Sequence, residues 1–302
     1  MRNRFCIEIF KSGLSDIISV MLSQKPLDPI DYLVIGHLAV DVTPDGLRLG
    51  GTAAYATLTA RALGLRVGVV TSFAGEIPLD SLDGIPVVSA PCEHSTTFEN
   101  IYTPDGRIQI LHHQAELLGF HLVPDSWRTA KIVHLGPIAQ EVEPSLARSF
   151  PNSFLGVTPQ GFLRTWDEKG HVFPCEWPEA PFVLQNAGAA VISVEDVGMD
   201  EYRIEEMASH CRLFVVTEAH LGARVYWNGD VRHFPAPTID QVDATGAGDI
   251  FAAAFFTRLY STRDPWEAAR VANLLASASV TRLGLESIPT PDEVRDSFIE
   301  VI

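Results

Sequence analysis

The chain has 302 residues, 46% of them hydrophobic and 20% charged, with 22 Lys and Arg against 38 Asp and Glu for a formal net charge of −16. A chain of this size buries on the order of 75% of its unfolded surface, so its core needs no disulfide or metal, and disordered and collagen-like classes are excluded. Without a cluster of Lys and Arg to neutralise phosphates, nucleic acid is not an expected partner.

Cys6, Cys92, Cys175 and Cys211 form no C-x-x-C pair and have no His at zinc spacing, which points to a reduced, cytoplasmic setting. No apolar run reaches the roughly 18 residues of a membrane span, and Glu8, Lys11 and Asp16 stand where a secretory signal is apolar, so no membrane association is expected. Residues 1–30 read as an N-terminal extension of unassigned role. Ile17, Ile18, Val20, Met21 and Leu22 would give it an amphipathic turn or two before Pro26 and Pro29 interrupt.

Tyr32-Leu33-Val34-Ile35-Gly36 is an apolar run ended by glycine, the pattern of a strand buried on both faces of a parallel sheet. Pro44-Asp45-Gly46 marks a turn, after which Gly50-Gly51 opens an alanine-rich helix over Thr52 to Leu63, and Val67 to Thr71 is the next strand. Thr96 to Leu111 alternates apolar and polar residues around Pro104-Asp105-Gly106, which predicts a β-hairpin. Strands are expected at Ile132 to Leu135, Phe154 to Val157, Ala190 to Val194 and Leu213 to Thr217, spaced widely enough for helices between them. Asn228-Gly229-Asp230 predicts a second hairpin, and two helices are expected over Gly246 to Leu259 and Pro265 to Leu283, with Arg258 and Arg263 opposing the dipole of the first. No repeat, charge block or linker divides residues 31–302, so one main α/β domain with a small β accessory piece is expected.

The stretch that carries chemistry is Val242-Asp243-Ala244-Thr245-Gly246-Ala247-Gly248-Asp249, running straight into an apolar helix. Gly246, Ala247 and Gly248 at a helix start would offer N–H groups to a transferring phosphoryl group, and Asp249 in the first turn could take the proton of an attacking hydroxyl. A plain turn with a helix-capping acid is the structural alternative. A Walker A loop is excluded, because none of Lys11, Lys25, Lys131 and Lys169 follows its glycine pattern, and Phe251 occupies the third glycine position of a dinucleotide fingerprint. His112-His113 is a poor metal pair, since neighbours on a strand point to opposite faces. Cys175 and Cys211 read as small apolar groups, and Trp127, Trp166 and Trp177 as packing residues.

At these residues the sequence resembles the ribokinase-like, or PfkB, family of carbohydrate and nucleoside kinases. Leu49-Gly50-Gly51-Thr52-Ala53-Ala54-Tyr55-Ala56 is similar to the family's N-terminal glycine-pair helix, and Ala272-Asn273, Ser279 to Gly284 and Ile288-Pro289-Thr290 to its C-terminal segment. The resemblance implies a Rossmann-like central, mostly parallel sheet flanked by helices, with a small β lid formed near 42–49 and 96–112. It implies transfer of the ATP γ-phosphate to a hydroxyl of a small sugar, cyclic polyol or nucleoside, with Mg2+ and with Asp249 as base. Gly246, Ala247 and Gly248 would then form the anion hole. Thr217, Gly222, Asp243, Thr245 and Asn273 would attend the nucleotide, while Asp41, Gly50, Gly51 and Arg164 would meet the substrate.

Two departures stand out. Thr52 and Tyr55 replace a lysine and an asparagine common in ribokinase-type members, which argues against ribose, and the family's N-x-x-E element is reduced to Ser193-Val194-Glu195-Asp196, leaving Glu195 or Asp196 to act on the metal through water. Arg164 could hold a phosphate or pair with Asp167 or Glu168. With Ser95 to Glu99, its segment Thr158 to Trp166 is similar to plant-type myo-inositol kinases, so a cyclic polyol is the leading acceptor. The competing class is a binding or regulatory protein that keeps such a fold without turnover. The hairpin would either join two copies into a homodimer through lid strands or pack on its own domain.

Overall fold

A computed structural model describes residues 27–103 and 106–299, so the amphipathic stretch expected near the N-terminus lies outside the described residues. β1 (Tyr32–Ile35), β2 (Ala39–Thr43) and β3 (Gly46–Gly50) lead into α1 (Gly51–Ala62). After β4 (Val67–Ser72) and β5 (Val87–Ala90) come β6 (Thr97–Thr103), β7 (Gly106–His113), β8 (Ile132–Leu135) and β9 (Phe154–Val157). A ribbon of β10 (Arg164–Trp166) and β11 (Val172–Pro174) precedes α2 (Ala180–Asn186), β12 (Ala189–Ser193), α3 (Glu201–His210) and β13 (Leu213–Thr217). β14 (Ala223–Trp227), β15 (Asp230–Phe234), α4 (Ala247–Thr262), α5 (Pro265–Ser279) and α6 (Pro291–Ser297) complete the order.

Nine strands form the main sheet in the order β15-β14-β13-β12-β9-β8-β1-β4-β5. From β13 to β5 every pairing is parallel, and the hairpin β14/β15 adds an antiparallel edge. Alternation along the strands assigns each side chain to one of two cores. Tyr32, Val34, Val191 and Val215 face α1, α4 and α5, whereas Leu33, Ile35, Ala190, Ile192, Phe214 and Val216 face α2, α3 and Trp127. Both faces are covered, which explains why the strands read as unbroken apolar runs.

The alanines of α1 let it lie close to β1, β4 and α4, and Ile250 to Phe256 of α4 are all buried. α4 runs past the expected Leu259 to Thr262, where Arg263 adopts φ 60°. The Arg258 guanidinium binds the Glu267 carboxylate of α5 at 2.8 Å, and the last turn of α4 carries no basic residue. α5 stops at Ser279, short of the expected Leu283. The Val280 carbonyl accepts N–H groups from Val242 and Asp243 at 2.8 and 3.0 Å, so the end of the helix is tied to the sequence motif.

A separate four-stranded sheet, β3-β2-β6-β7, stands at one end of the main sheet. The turn at Pro44-Asp45-Gly46 is itself a hairpin connection, β2/β3, and β2 pairs in parallel with β6 through Asp41 and Phe98. His112 binds Glu99 at 2.8 Å while His113 stacks on His94, so the two histidines diverge. Trp127 is fully buried, Trp177 stacks on Phe162, and burial pushes the Cys211 thiol up to about 11. No helix among the described residues is long and apolar enough to cross a membrane.

Candidate active site

The parallel strands all deliver their carboxyl ends to one side, where a cavity of about 450 Å³ opens between the main sheet, the small sheet and the start of α4. Loops after β8, β9, β12 and β13 supply Ile138, Thr158, Gln160, Ser193, Glu195, Asp196, Ala219, His220 and Gly222 to its walls. The motif residues Thr245, Gly246, Ala247, Gly248 and Asp249 line it from α4, Asp41 from β2, and Gly51 from α1.

Gly246 caps α4 with φ 79°, a left-handed conformation that glycine alone adopts freely. The Ala247 N–H turns inward to the Ala244 carbonyl at 3.2 Å, so the expected trio of donors is corrected: among the described residues the N–H groups without a partner are those of Gly246, Gly248 and Asp249. A Cβ on Gly248 would meet open space, leaving its backbone free to approach a ligand. Unpaired N–H groups at the positive end of a 16-residue helix make a cradle for an anion.

Asp249 accepts a hydrogen bond from Thr52 Oγ1 at 2.7 Å on its Oδ1 atom. Burial raises its pKa to about 6, opposed by the Thr52 bond and the charge of Arg164 and reinforced by the carboxylates of Asp196 and Asp41. Asp41 is also pushed up to about 6, by burial and by Asp243. Tyr55 lies among Asp41, Asp243 and Asp249, and burial with those three charges raises its hydroxyl.

Several expected residues have other duties. Asp243 does not line the cavity: its carboxylate accepts N–H groups from Thr245 at 2.9 Å and Gly284 at 3.0 Å, locking the motif turn. Gly50 is absent from the walls as well, and its lack of a side chain makes room for the Asp41 carboxylate. Asn273 borders the cavity but donates its amide to the Pro235 carbonyl at 2.8 Å, shaping the wall there. Thr217 lines the wall and donates to the Ile192 carbonyl at 3.2 Å. Asp196 accepts from the Ser193 N–H and from Gln160, so it closes a capping box as well as facing the cavity beside Glu195. Arg164 lines the cavity and donates to the Ile138 carbonyl at 3.3 Å, while Asp167 is taken by His171.

Thr52, Tyr55, Asn100, Gln109 and Gln160 also line the cavity and were not among the expected site residues. Thr52 and Tyr55 occupy the two positions where the sequence departs from ribokinase-type members, and that departure was the available signal. Asn100 and Gln109, paired across β6/β7 by a 3.0 Å bond, carried none beyond strand alternation.

The profile of the pfkB family carbohydrate kinases matches residues 194–292. A cytidine kinase of Thermococcus kodakarensis is 27% identical over 85% of this chain and 94% of its own, and an inositol 3-kinase of Oryza sativa subsp. japonica is 26% identical over 88% and 71%. A pyrophosphate-dependent kinase of the ribokinase family, solved with a pyrophosphate analog and myo-inositol, superposes with a TM-score of 0.75 at 18% identity, covering 88% of this chain and 99% of its own. Arabidopsis thaliana ribokinase solved with ribose and ATP gives 0.66 at 17% identity, covering 90% and 99%.

The doubly wound sheet and the kinase relatives define a small-molecule kinase with the ribokinase fold. The chain is similar to the pfkB family of carbohydrate kinases over residues 194–292 and to cytidine and inositol kinases along most of its length.

Proposed function

We propose that the enzyme transfers the γ-phosphoryl group of ATP to a hydroxyl of a small, neutral, polyhydroxylated acceptor, with Asp249 as the general base. The observation that carries this reading is the carboxylate of Asp249 set beside the unpartnered N–H groups of Gly246, Gly248 and Asp249 at the start of α4. Asp249 removes the acceptor proton, the acceptor oxygen forms its bond to the γ-phosphorus, and the bond to the β–γ bridging oxygen breaks to release ADP. The N–H cradle takes the charge that spreads over the transferring group.

The donor end of the cavity is walled by Ala219, Gly222, Ala236, Pro237, Ala276 and Val280, a small apolar surface that suits a nucleobase. Pyrophosphate, the donor named for three of the similar solved structures, would ask for several cations, and among the described lining residues Arg164 is the single Lys or Arg. Magnesium fits as an ion carried in by the nucleotide: no cluster of three metal-ligating side chains exists among the described residues, and Glu195 and Asp196 would hold it through water. Its chemistry there is to neutralise phosphate charge.

At the acceptor end, Asp41 and Asp249 outweigh Arg164, which disfavours anionic acceptors such as sugar acids and sugar phosphates. A cyclic polyol is the leading class, supported by the inositol 3-kinase relatives. A pyrimidine nucleoside is the second, supported by the cytidine kinase match along most of both chains. The small sheet acts as the lid, closing Phe98, Asn100 and Gln109 over the acceptor.

The test is consumption of ATP, and of pyrophosphate in parallel, with magnesium against myo-inositol, fructose, ribose, adenosine, cytidine and 2-keto-3-deoxygluconate. Turnover with ATP and one neutral acceptor is expected. Turnover confined to pyrophosphate, or to the sugar acid, overturns the corresponding half of the reading.

A further inference from the structure

We infer that Thr52 is a positioning residue that fixes the carboxylate of Asp249 for proton transfer, a role that rests on the reading of Asp249 as the base. Thr52 lies in the first turn of α1 and is 2% exposed, and its hydroxyl spans 197 positions to reach Asp249 in the first turn of α4. The bond joins two helix starts that frame the same cavity. With Oδ1 held by the Thr52 proton, Oδ2 has no partner among the described residues and is left for the acceptor hydroxyl.

The threonine side chain is itself held. Its methyl group sits over Gly136, where a Cβ would come within 2.5 Å of it, so the missing side chain at 136 is the seat of that methyl. A side chain whose methyl is seated has one favoured rotamer, and the hydroxyl is thereby aimed. Glycine at 136 and threonine at 52 thus form one device.

The charged groups facing Asp249 are Asp41 on β2, Asp196 after β12 and Arg164 on β10, with the Tyr55 hydroxyl on α1 nearby. The Thr52 bond favours the ionised form of Asp249 against burial and the two neighbouring acids. Removing it therefore acts twice: the carboxylate swings, and it holds its proton to higher pH.

The experiment compares kcat and KM across pH 5 to 9 for the full chain, with the acceptor found as above. Thr52→Val keeps the shape and methyl but not the donor, and Thr52→Ser keeps the donor. Thr52→Val is expected to lower kcat at neutral pH by about 10- to 100-fold, leave both KM values within ~3-fold, and move the acid limb up by about one pH unit. Thr52→Ser should stay within ~3-fold of the parent. Gly136→Ala should reproduce the valine phenotype by displacing the methyl, and adding Thr52→Ser to it should restore part of the loss.

A valine variant with the parent's kcat and pH limb overturns the proposal, as does equal impairment of valine and serine variants at matched melting temperatures. If Thr52→Val does not fold, the pair Gly136→Ala and Gly136→Ala/Thr52→Ser decides, and absence of recovery counts against it. Full turnover by Asp249→Asn would instead remove the base reading itself, whereas an inactive Asp249→Asn beside a normal Thr52→Val removes the positioning role alone.

Discussion

The aromatic ring of Tyr55 lies against Gly246 so closely that a Cβ at position 246 would overlap the ring, and Gly246 also holds φ 79°. α1 therefore props the turn that aims the anion cradle. Gly246→Ala meets both obstacles at once, and the turn must shift. The expected result is a loss of about 100-fold or more in kcat/KM, with stability lowered by about 1–3 kcal/mol, measured by steady-state kinetics and denaturant melts on the same preparation.

Asp249 and Asp41 both have pKa values raised to about 6. A base must be ionised to accept a proton, so kcat/KM should fall as pH drops below about 6, tenfold per unit for one proton. Stability runs the other way. In that window each of these two carboxyls binds more protons in the folded state than in the unfolded chain, where aspartates titrate near 3.8, so their own contribution to stability rises as pH falls from about 7 towards 4. Asp249→Asn should accordingly melt at least ~2 °C higher than the parent at pH 7.5, with the difference shrinking as pH approaches 4. Equal melting temperatures at pH 7.5 would show that the carboxylate is not strained.

Glu141 is fully buried and its carboxylate accepts backbone N–H groups from His37, Ile138 and Ala139 at 2.7 to 3.0 Å. It anchors the loop after β8 that carries Ile138 into the cavity wall. Glu141→Ala leaves those donors buried without partners and should lower stability by about 3 kcal/mol or more in urea unfolding. The acceptor KM should rise with it.

The Asn100 and Gln109 side chains bind each other across the β6/β7 hairpin, and each keeps polar capacity facing the cavity. Whichever way the amides are turned, the pair offers a donor and an acceptor side by side. Asn100→Ala and Gln109→Ala should each raise the acceptor KM by about tenfold while moving the KM of ATP less than ~2-fold. A change in the ATP KM instead would place the pair at the donor end.

The sheet was legible because buried parallel strands are written as continuous apolar runs, as Tyr32 to Ile35 and Leu213 to Thr217 show. The hairpins were legible from turn chemistry at Pro104 to Gly106 and Asn228 to Asp230. β5, with Val87 and Val88 half-buried, and the short ribbon β10/β11 offered no comparable run. In the site, the motif from Thr245 to Asp249 announced itself by spacing. What Asp243, Gly50 and Asn273 do could not be read locally, since their partners, Gly284, Asp41 and Pro235, lie far along the chain or on another element. The same distance hid the Thr52 bond to Asp249.

Asp249→Asn tests the central claim most directly. The variant keeps the size of the side chain and an acceptor for Thr52, and it removes the carboxylate proposed to take the proton. Single-turnover phosphoryl transfer should fall by about 100-fold or more while ATP affinity, read by calorimetry, changes less than ~3-fold. Transfer at the parent rate by a variant that binds ATP normally would contradict the assignment of Asp249 as the base.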